Sequence, residues 1–410
     1  MSANKVVQHL FFATLLLGFA VTGALAQKIS DRMVKLGVLT DFNGVYSDFS
    51  GEGSLIAVKM AVEDFGGKVL GAPIEIVSAD HQNKADIGSA KAREWFGPQH
   101  VDVIFDTSNS AVTLAVMSIA AQEDKIVIIG GSSTTRVTND DCTPNSIQYV
   151  YDANSLSNVV GKSILRQGGD TWFFVTVDFA FGHGLEKSTA DVVKAAGGKV
   201  IGSVRHPLNA PDMSSFLLQA QASGAKVIGL ATAGGDLINA IKTAKQFGIT
   251  GGDSKQLLAS LLVFVSDVNA MGLEQAQGLY LTEAFYWDLN DETRKWSRRF
   301  FERHKKMPTM VHAAMYSATT HYLQAVRASG TDDTKTVMAK MKATPVHDFF
   351  AKDGRIREDG LHVHDMYLMQ VKRPDESKYP WDYYHVKAVV APEEAFKSME
   401  EGTCKFVKKK

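Results

Sequence analysis

Between residues 33 and 263, short apolar runs alternate with stretches whose apolar residues return every three or four positions. The runs at 33–40, 74–79, 101–106, 126–129, 172–177, 199–204, 226–231 and 257–263 have the composition of strands buried on both faces. The stretches between them, such as "DLINAIKTAKQFG" at 236–248, carry the period of an amphipathic helix. Strands buried on both sides and alternating with helices predict an α/β fold built on parallel sheets.

The pattern repeats. GGKVLG at 66–71 and GGKVIG at 197–202 each follow a helical run, at 53–65 and 185–196. The strands upstream, "VKLGVLTDF" at 34–42 and "WFFVTVDFAFG" at 172–182, also end alike. Glycine just past a helix reaches the left-handed conformation without a Cβ penalty, so Gly-Gly is a common helix stop in its own right. Together with the matching strands it predicts two similar doubly wound lobes. Beyond residue 278, "GLYLTEAFYWDLNDETRKWSRRF" begins a long helical region reaching 328, and strand patterns return at "HVHDMYLMQVKR" and "WDYYHVKAV". If the helices rejoin the first lobe and the late strands the second, the lobes share a multi-strand hinge suited to closing on a ligand. The expected division is 27–150 with 284–345 as lobe one, 151–283 with 346–388 as lobe two, and a tail, 389–410, returning to lobe one.

The N-terminus changes the picture of where the chain works. Lys5 precedes an apolar core, "LFFATLLLGFA" at 10–20, too short to span a bilayer comfortably. Ala24 and Ala26 form a small-residue cleavage site, so residues 1–26 read as a signal peptide removed before Gln27. The absence of cysteine there argues against a lipid anchor, and the mature chain is expected in the periplasm. Its formal net charge moves from −1 to −2 with the loss of Lys5, which gives no electrostatic case for nucleic acid or an anionic membrane. Cys142 and Cys404 both lie in polar, loop-like surroundings without a neighbouring histidine to make a catalytic thiol. In an oxidising compartment they are expected to form a disulfide pinning the tail to the first lobe.

Catalytic and cofactor motifs fail on inspection. "GKS" at 161–163 has Leu156 where a phosphate loop needs glycine, and "GEGSLI" at 51–56 has Ile56 where a dinucleotide fingerprint needs its third glycine. His362 and His364 share a strand face but have no obvious third ligand, so no metal is expected. "GGSST" around Ser132 and Ser133 lacks the spacing of a nucleophile elbow. No cofactor and no enzymatic activity are predicted.

Polar loops at strand ends offer more. Ser108, Asn109 and Ser110 lie between a strand and a helix start, and Gly130–Thr134 follow the next strand. Ligands of open parallel sheets settle outside the carboxyl ends of the strands, where helix N–H groups and hydroxyls can receive a carboxylate. Ordinary N-capping would use the same residue types. Opposite them, Phe179, Phe181 and Asp236 come from lobe two, Tyr46 and Ser47 from the first loop, and Phe285 and Tyr286 from the crossover.

The order of "VKLGVLTDFNGVYSDFSGEGSLIAVKMAVEDFGG", "GAPIEIVSADHQNKADIGSAKAREWF", "DFAFGHGLE" and "VIGLATAGGDLINAIKTAKQFGI" resembles the type I periplasmic binding proteins of ABC transporters, in particular the leucine/isoleucine/valine-binding group. The resemblance covers essentially the whole mature chain. It implies two α/β lobes joined by three strands, a ligand carboxylate held by Asn109, Ser110, Ser132 and Ser133, and Phe181 closing over the ligand. Amino-acid binders of the family also carry an acid in lobe two for the α-ammonium, but the matching stretch, "LLASLLVF" at 257–264, has none. A desolvated ammonium without a carboxylate costs several kcal/mol. That departure points to a carboxylate without an α-amino group, foremost an aromatic acid of the benzoate or cinnamate kind. Apolar amino acids follow, with Asp236 or Asp178 as a substitute acid, and then short amides or urea.

Three functions fit such a chain. A monomeric transport component would hand its ligand to permease subunits at the inner membrane. A sensor would dock its closed form on a receptor, and copurification separates these two. An exported enzyme on the same fold would turn its ligand over, and fold alone does not decide.

Overall fold

The computed structural model describes residues 29–249 and 256–408, and the expected leader lies outside them. Strand β1 (Val34–Thr40) is central to a six-stranded sheet of order β2-β3-β1-β4-β5-β6, with β2 Lys68–Val69, β3 Ala72–Asp80, β4 Val103–Asp106, β5 Ile126–Ile129 and β6 Ser146–Gln148. Apart from the β2–β3 hairpin every pairing is parallel. Helices α1 (Gly51–Phe65), α2 (Ala85–Phe96) and α3 (Ser110–Gln122) connect its strands. The second sheet, β10-β9-β7-β8, is wholly parallel and comprises β7 Thr171–Val177, β8 Lys199–His206, β9 Val227–Ala231 and β10 Leu257–Ser260.

Both Gly-Gly stops work as expected: Gly66 and Gly197 have φ of 98° and 80°, past the ends of α1 and of the helix at Ala180–Ala195. The two hexapeptides then diverge. Lys199 enters β8 at once, whereas Lys68–Val69 fold back antiparallel onto β3 through Leu70 and Gly71, both left-handed. Pro73, which lacks an N–H, follows only the first copy and pairs with Lys68 at the sheet edge.

After β6 the chain runs through α4 (Ala153–Leu156), one π turn (Ser157–Gly161) and α5 (Lys162–Arg166) into lobe two, whose helices are α6 (Ala180–Ala195), α7 (Ser214–Ala222), α8 (Gly234–Gln246), α9 (Val265–Met271) and α10 (Leu273–Ala276). The region expected to be helical from residue 278 begins instead with a strand, β11 (Tyr280–Glu283). Its partner is distant: it pairs antiparallel with β14 (Met366–Val371), which pairs in turn with β15 (Tyr384–Val390). The helix starts only at α11 (Asp291–His304), where the Asn290 side chain accepts from the N–H groups of Glu292 and Thr293 at 3.0 Å. Helices α11 and α12 (Met310–Ser329) return to lobe one and pack on α1, and α13 (Thr334–Ala343) follows. The short hairpin of β12 (Arg355–Ile356) and β13 (His362–Val363) does not join the second lobe's sheet. Leu361 bridges Gln148 in parallel, placing this stretch on the edge of the first sheet.

The chain thus passes between the lobes at 149–152, 284–290 and 363–366. Two of these passes are laced by histidines. His362 Nδ1 meets the Tyr149 carbonyl at 2.9 Å and His364 Nε2 the Val150 carbonyl at 3.0 Å, so their buried rings serve the hinge. Cys142 and Cys404 form the expected disulfide, 5.6 Å between Cα atoms. The tail that carries Cys404 begins with α14 (Pro392–Ala395), whose Ala395 carbonyl accepts from Asn158 Nδ2 at 2.9 Å. It ends on lobe one, where Thr403 bonds Asn139 and Asp140.

Candidate functional site

The last residue of β4, Asp106 (φ 80°), and the next, Thr107 (φ 51°), both have left-handed backbones. Such conformations cost free energy and persist only where surrounding contacts over-determine them. Here the buried Asp106 carboxylate accepts from Thr40 Oγ1 at 2.8 Å and from the Gly131 N–H at 3.2 Å. Burial pushes this carboxyl up to about 6 even against those donors. Asp106 therefore ties together the carboxyl ends of three adjacent strands, β1, β4 and β5.

On that base the polar loops converge. Asn109 is spent on capping α3, accepting from Ala111 N at 2.9 Å and Val112 N at 3.3 Å. Ser110, the first residue of α3, and Ser132, beyond β5, lie 3.1 Å apart through their hydroxyls. Ser133 Oγ is buried with no partner within the protein. His81 Nδ1 accepts the Asn83 N–H at 3.0 Å, so its Nε2 carries the proton toward Ser108 Oγ at 3.2 Å. Burial holds this imidazole down to about 4, so it is neutral at pH 7 and acts as a fixed donor.

The loop after β1 is shaped by Asp41, whose carboxylate gathers the N–H groups of Gly44 (2.6 Å) and Tyr46 (3.0 Å) and the Asn83 amide (2.6 Å). That presents Tyr46 to lobe two. Its ring meets Phe181, in the first turn of α6, edge-on at 6.4 Å, and leans on Phe49 at 5.2 Å. Phe49 in turn stacks on Phe264 of lobe two at 4.2 Å with an interplanar angle of 14°. Beside these rings the Gly235 N–H donates to the Val45 carbonyl at 3.1 Å, directly between the lobes. The molecule is in a closed arrangement, its lobes joined by aromatic contacts, each worth about 0.5–1.5 kcal/mol beyond burial.

Native proteins leave few buried polar atoms unpaired. Here several such atoms in the described residues lie at strand ends. Besides Tyr46 Oη and Ser133 Oγ they include Thr232 Oγ1 just past β9, Ser260 Oγ at the last residue of β10, Ser266 Oγ in the first turn of α9, and Glu283 Oε2 at the last residue of β11. Tyr151, on the first pass between lobes, sits among them: its hydroxyl donates to the Gly131 carbonyl at 2.9 Å, and the charges that act on it include Asp106, Glu283 and Asp267.

The residues expected from sequence divide. Tyr46 and Phe181 meet across the lobes, and Ser110, Ser132 and Ser133 lie together at the strand ends of lobe one. Ser47 instead donates to the Gly44 carbonyl at 2.8 Å and supports the turn. Asp236 is committed to the N–H groups of Asn209 and Ala210 at 2.8 and 2.9 Å. Tyr286 is held at the hinge by the Trp381 carbonyl and the Tyr383 N–H, both at 3.0 Å, and Phe285 packs on Trp296 and Phe349. In lobe two, Thr232, Ser260 and Ser266 follow the same pattern, polar residues at or just past strand ends. Glu283 was hidden because a four-residue strand looked like the start of a helix. Among the described residues there is no cluster of metal-ligating side chains and no helix long and apolar enough to cross a membrane.

Two α/β lobes closing through aromatic residues over hydroxyl-lined strand ends define a ligand-binding protein. The chain belongs to the periplasmic binding protein family, whose model matches residues 33–378. It is 52% identical to a periplasmic binding protein from Burkholderia mallei, with a TM-score of 0.90 over 92% of this chain and 100% of that one. A branched chain amino acid ABC transporter periplasmic ligand-binding protein from Burkholderia xenovorans LB400 is 39% identical, with a TM-score of 0.81 over 91% and 99%. A solute binding protein from R. palustris in complex with benzoate shares the fold at 19% identity, with a TM-score of 0.78 over 91% and 99%.

Proposed function

We propose that the protein, acting as a monomer in the periplasm, captures a small organic carboxylate between its lobes and delivers it to the permease of an ABC importer. The observation that carries this is the set of buried, unpartnered polar atoms at the strand ends, which a ligand would satisfy on closure. Ser110, Ser132, Ser133 and the N-terminus of α3 suit a carboxylate without needing a cationic side chain. Tyr46, Phe49, Phe181 and Phe264 suit a flat apolar body, which favours an aromatic acid of the benzoate or cinnamate kind. A closed form selected by ligand makes the delivery signal a population shift.

An apolar amino acid is the second reading. Two acids, Asp267 and Glu283, lie near the site although 257–264 contains none, and the Burkholderia xenovorans relative is described as a branched-chain amino acid transporter component.

A thermal-shift panel of benzoate, 4-hydroxybenzoate, 4-coumarate, leucine, valine and urea decides between them, because a ligand of the native state raises the melting temperature by mass action. Shifts confined to aromatic acids are the expected result, and shifts confined to leucine or valine favour the second reading. Ser110→Ala should weaken carboxylates more than their amides in titration calorimetry, and equal losses would remove the carboxylate from that loop. Phe181→Ala should raise the dissociation constant at least fivefold, the equivalent of about 1 kcal/mol. An unchanged constant would take Phe181 out of the site.

A further inference from the structure

Among the unpartnered atoms at the strand ends, Glu283 supplies the carboxyl. It is 1% exposed, ends β11 where the chain leaves lobe two, and has one oxygen, Oε2, without a hydrogen-bond partner. The groups that face it come from three elements. Asp267 lies in α9, Tyr384 in β15 and Tyr151 on the first pass between the lobes, with Tyr46 and Asp106 beyond Tyr151. Among the described residues, no lysine, arginine or histidine is among the groups acting on it. Asp267 is itself buried, its Oδ2 taking only the Phe264 N–H at 3.0 Å. Both carboxyls are buried and the charge of Asp267 acts on Glu283, which disfavours ionising the two together. Burial, reinforced by the charge of Asp267 and opposed by a hydrogen bond from Tyr384, raises Glu283 well above the ordinary carboxyl range.

We propose that Glu283 is a specificity residue that keeps its proton and donates it to an oxygen at the far end of the bound ligand, while the serine loops of lobe one hold the ligand's carboxylate. The inference rests on the carboxylate reading above and deepens it. The preferred ligand has two oxygen-bearing ends and an apolar middle, as in a ring-hydroxylated aromatic acid. A neutral acid meets a hydroxyl or carbonyl oxygen at no charge cost. An ammonium in the same place would have to draw the proton away first, beside Asp267.

The test compares wild type, Glu283→Gln and Glu283→Leu, each checked for native circular dichroism. Infrared spectra of ligand-free protein at pH 7 should contain the carbonyl stretch of an un-ionised buried carboxylic acid that both substitutions remove. No such difference band overturns the proposal whether or not a ligand is in hand. With 4-hydroxybenzoate as probe, Glu283→Gln, which still donates through its amide, should stay within about threefold of wild type, and Glu283→Leu should lose at least tenfold, about 1.4 kcal/mol. Equal losses in both variants, or no loss in Glu283→Leu, also overturn it. If wild type ignores aromatic acids and binds leucine, the aromatic reading has failed separately. Glu283→Gln then tells two failures apart: abolished leucine binding, with a proton released when wild type binds, means an ionised Glu283 and sinks the proposal. Retained leucine binding also overturns it, because leucine has no oxygen at its far end for Glu283 to meet, and the infrared band would then report only a buried neutral acid.

Discussion

Gly234→Ala is expected to raise the dissociation constant for any ligand of the cleft by one to two orders of magnitude, roughly 1.4–2.8 kcal/mol, while leaving both lobes folded. Gly234 opens α8 with φ of 58°, and a Cβ built there would lie 2.2 Å from the Val45 carbonyl oxygen and 3.2 Å from Tyr46 Cδ1. Both obstructing atoms belong to the opposite lobe, so the clash exists only when the lobes are closed. The open form escapes it and bears only the left-handed backbone cost of a non-glycine residue, about 1–2 kcal/mol. Because closure and binding are linked, destabilising the closed form lowers apparent affinity without touching a ligand contact. Gly235→Ala is the control, since its Cβ would approach the Val45 side chain no nearer than 3.4 Å. Titration calorimetry with the hit from the thermal panel, and small-angle scattering with and without it, should show that Gly234→Ala loses affinity and compaction together. Wild-type affinity in Gly234→Ala would mean that the Val45–α8 contact is absent from the ligand-bound state.

Breaking the disulfide should be the largest single loss of stability. It closes a sequence separation of 262 residues, for which chain entropy alone suggests roughly 5 kcal/mol, with about 2–4 kcal/mol usual in practice. Little else holds the end of the tail: Thr403 makes its bonds to Asn139 and Asp140 at an exposed edge. Scanning calorimetry of the Cys142→Ser/Cys404→Ser protein should show a melting temperature several degrees below wild type. Trypsin should also cut at Lys405 well before the lobes are attacked. An unchanged melting temperature would show that the bridge constrains little beyond its own loop.

The histidine pair shows how sequence and structure divide the work. A sequence places His362 and His364 two apart, on one face of a strand, and the bond to each partner carbonyl is then a matter of what crosses nearby. Only the tertiary structure sets Tyr149 and Val150 there, more than two hundred positions earlier. The same holds for Asp236. Its position after a strand makes it a candidate for a ligand's ammonium, but the loop from β8 lies over it and supplies two N–H groups. Asn109, by contrast, was ambiguous only between capping and binding, both of which its sequence context allows, and the geometry gave the cap.

What the sequence determined by itself is local or periodic. The alternation of buried strands and amphipathic helices, the glycine stops, the loops rich in serine and the pairing of the only two cysteines follow from propensity, backbone sterics and composition. What only the tertiary structure decided is non-local. Whether residues 280–283 form a strand depends on β14, almost ninety positions away. Whether Phe49 and Phe264 meet depends on closure of two lobes, and the raised carboxyl of Glu283 depends on its burial and on Asp267 and Tyr384 beside it. Burial and desolvation are properties of the assembled fold, and no window of sequence contains them.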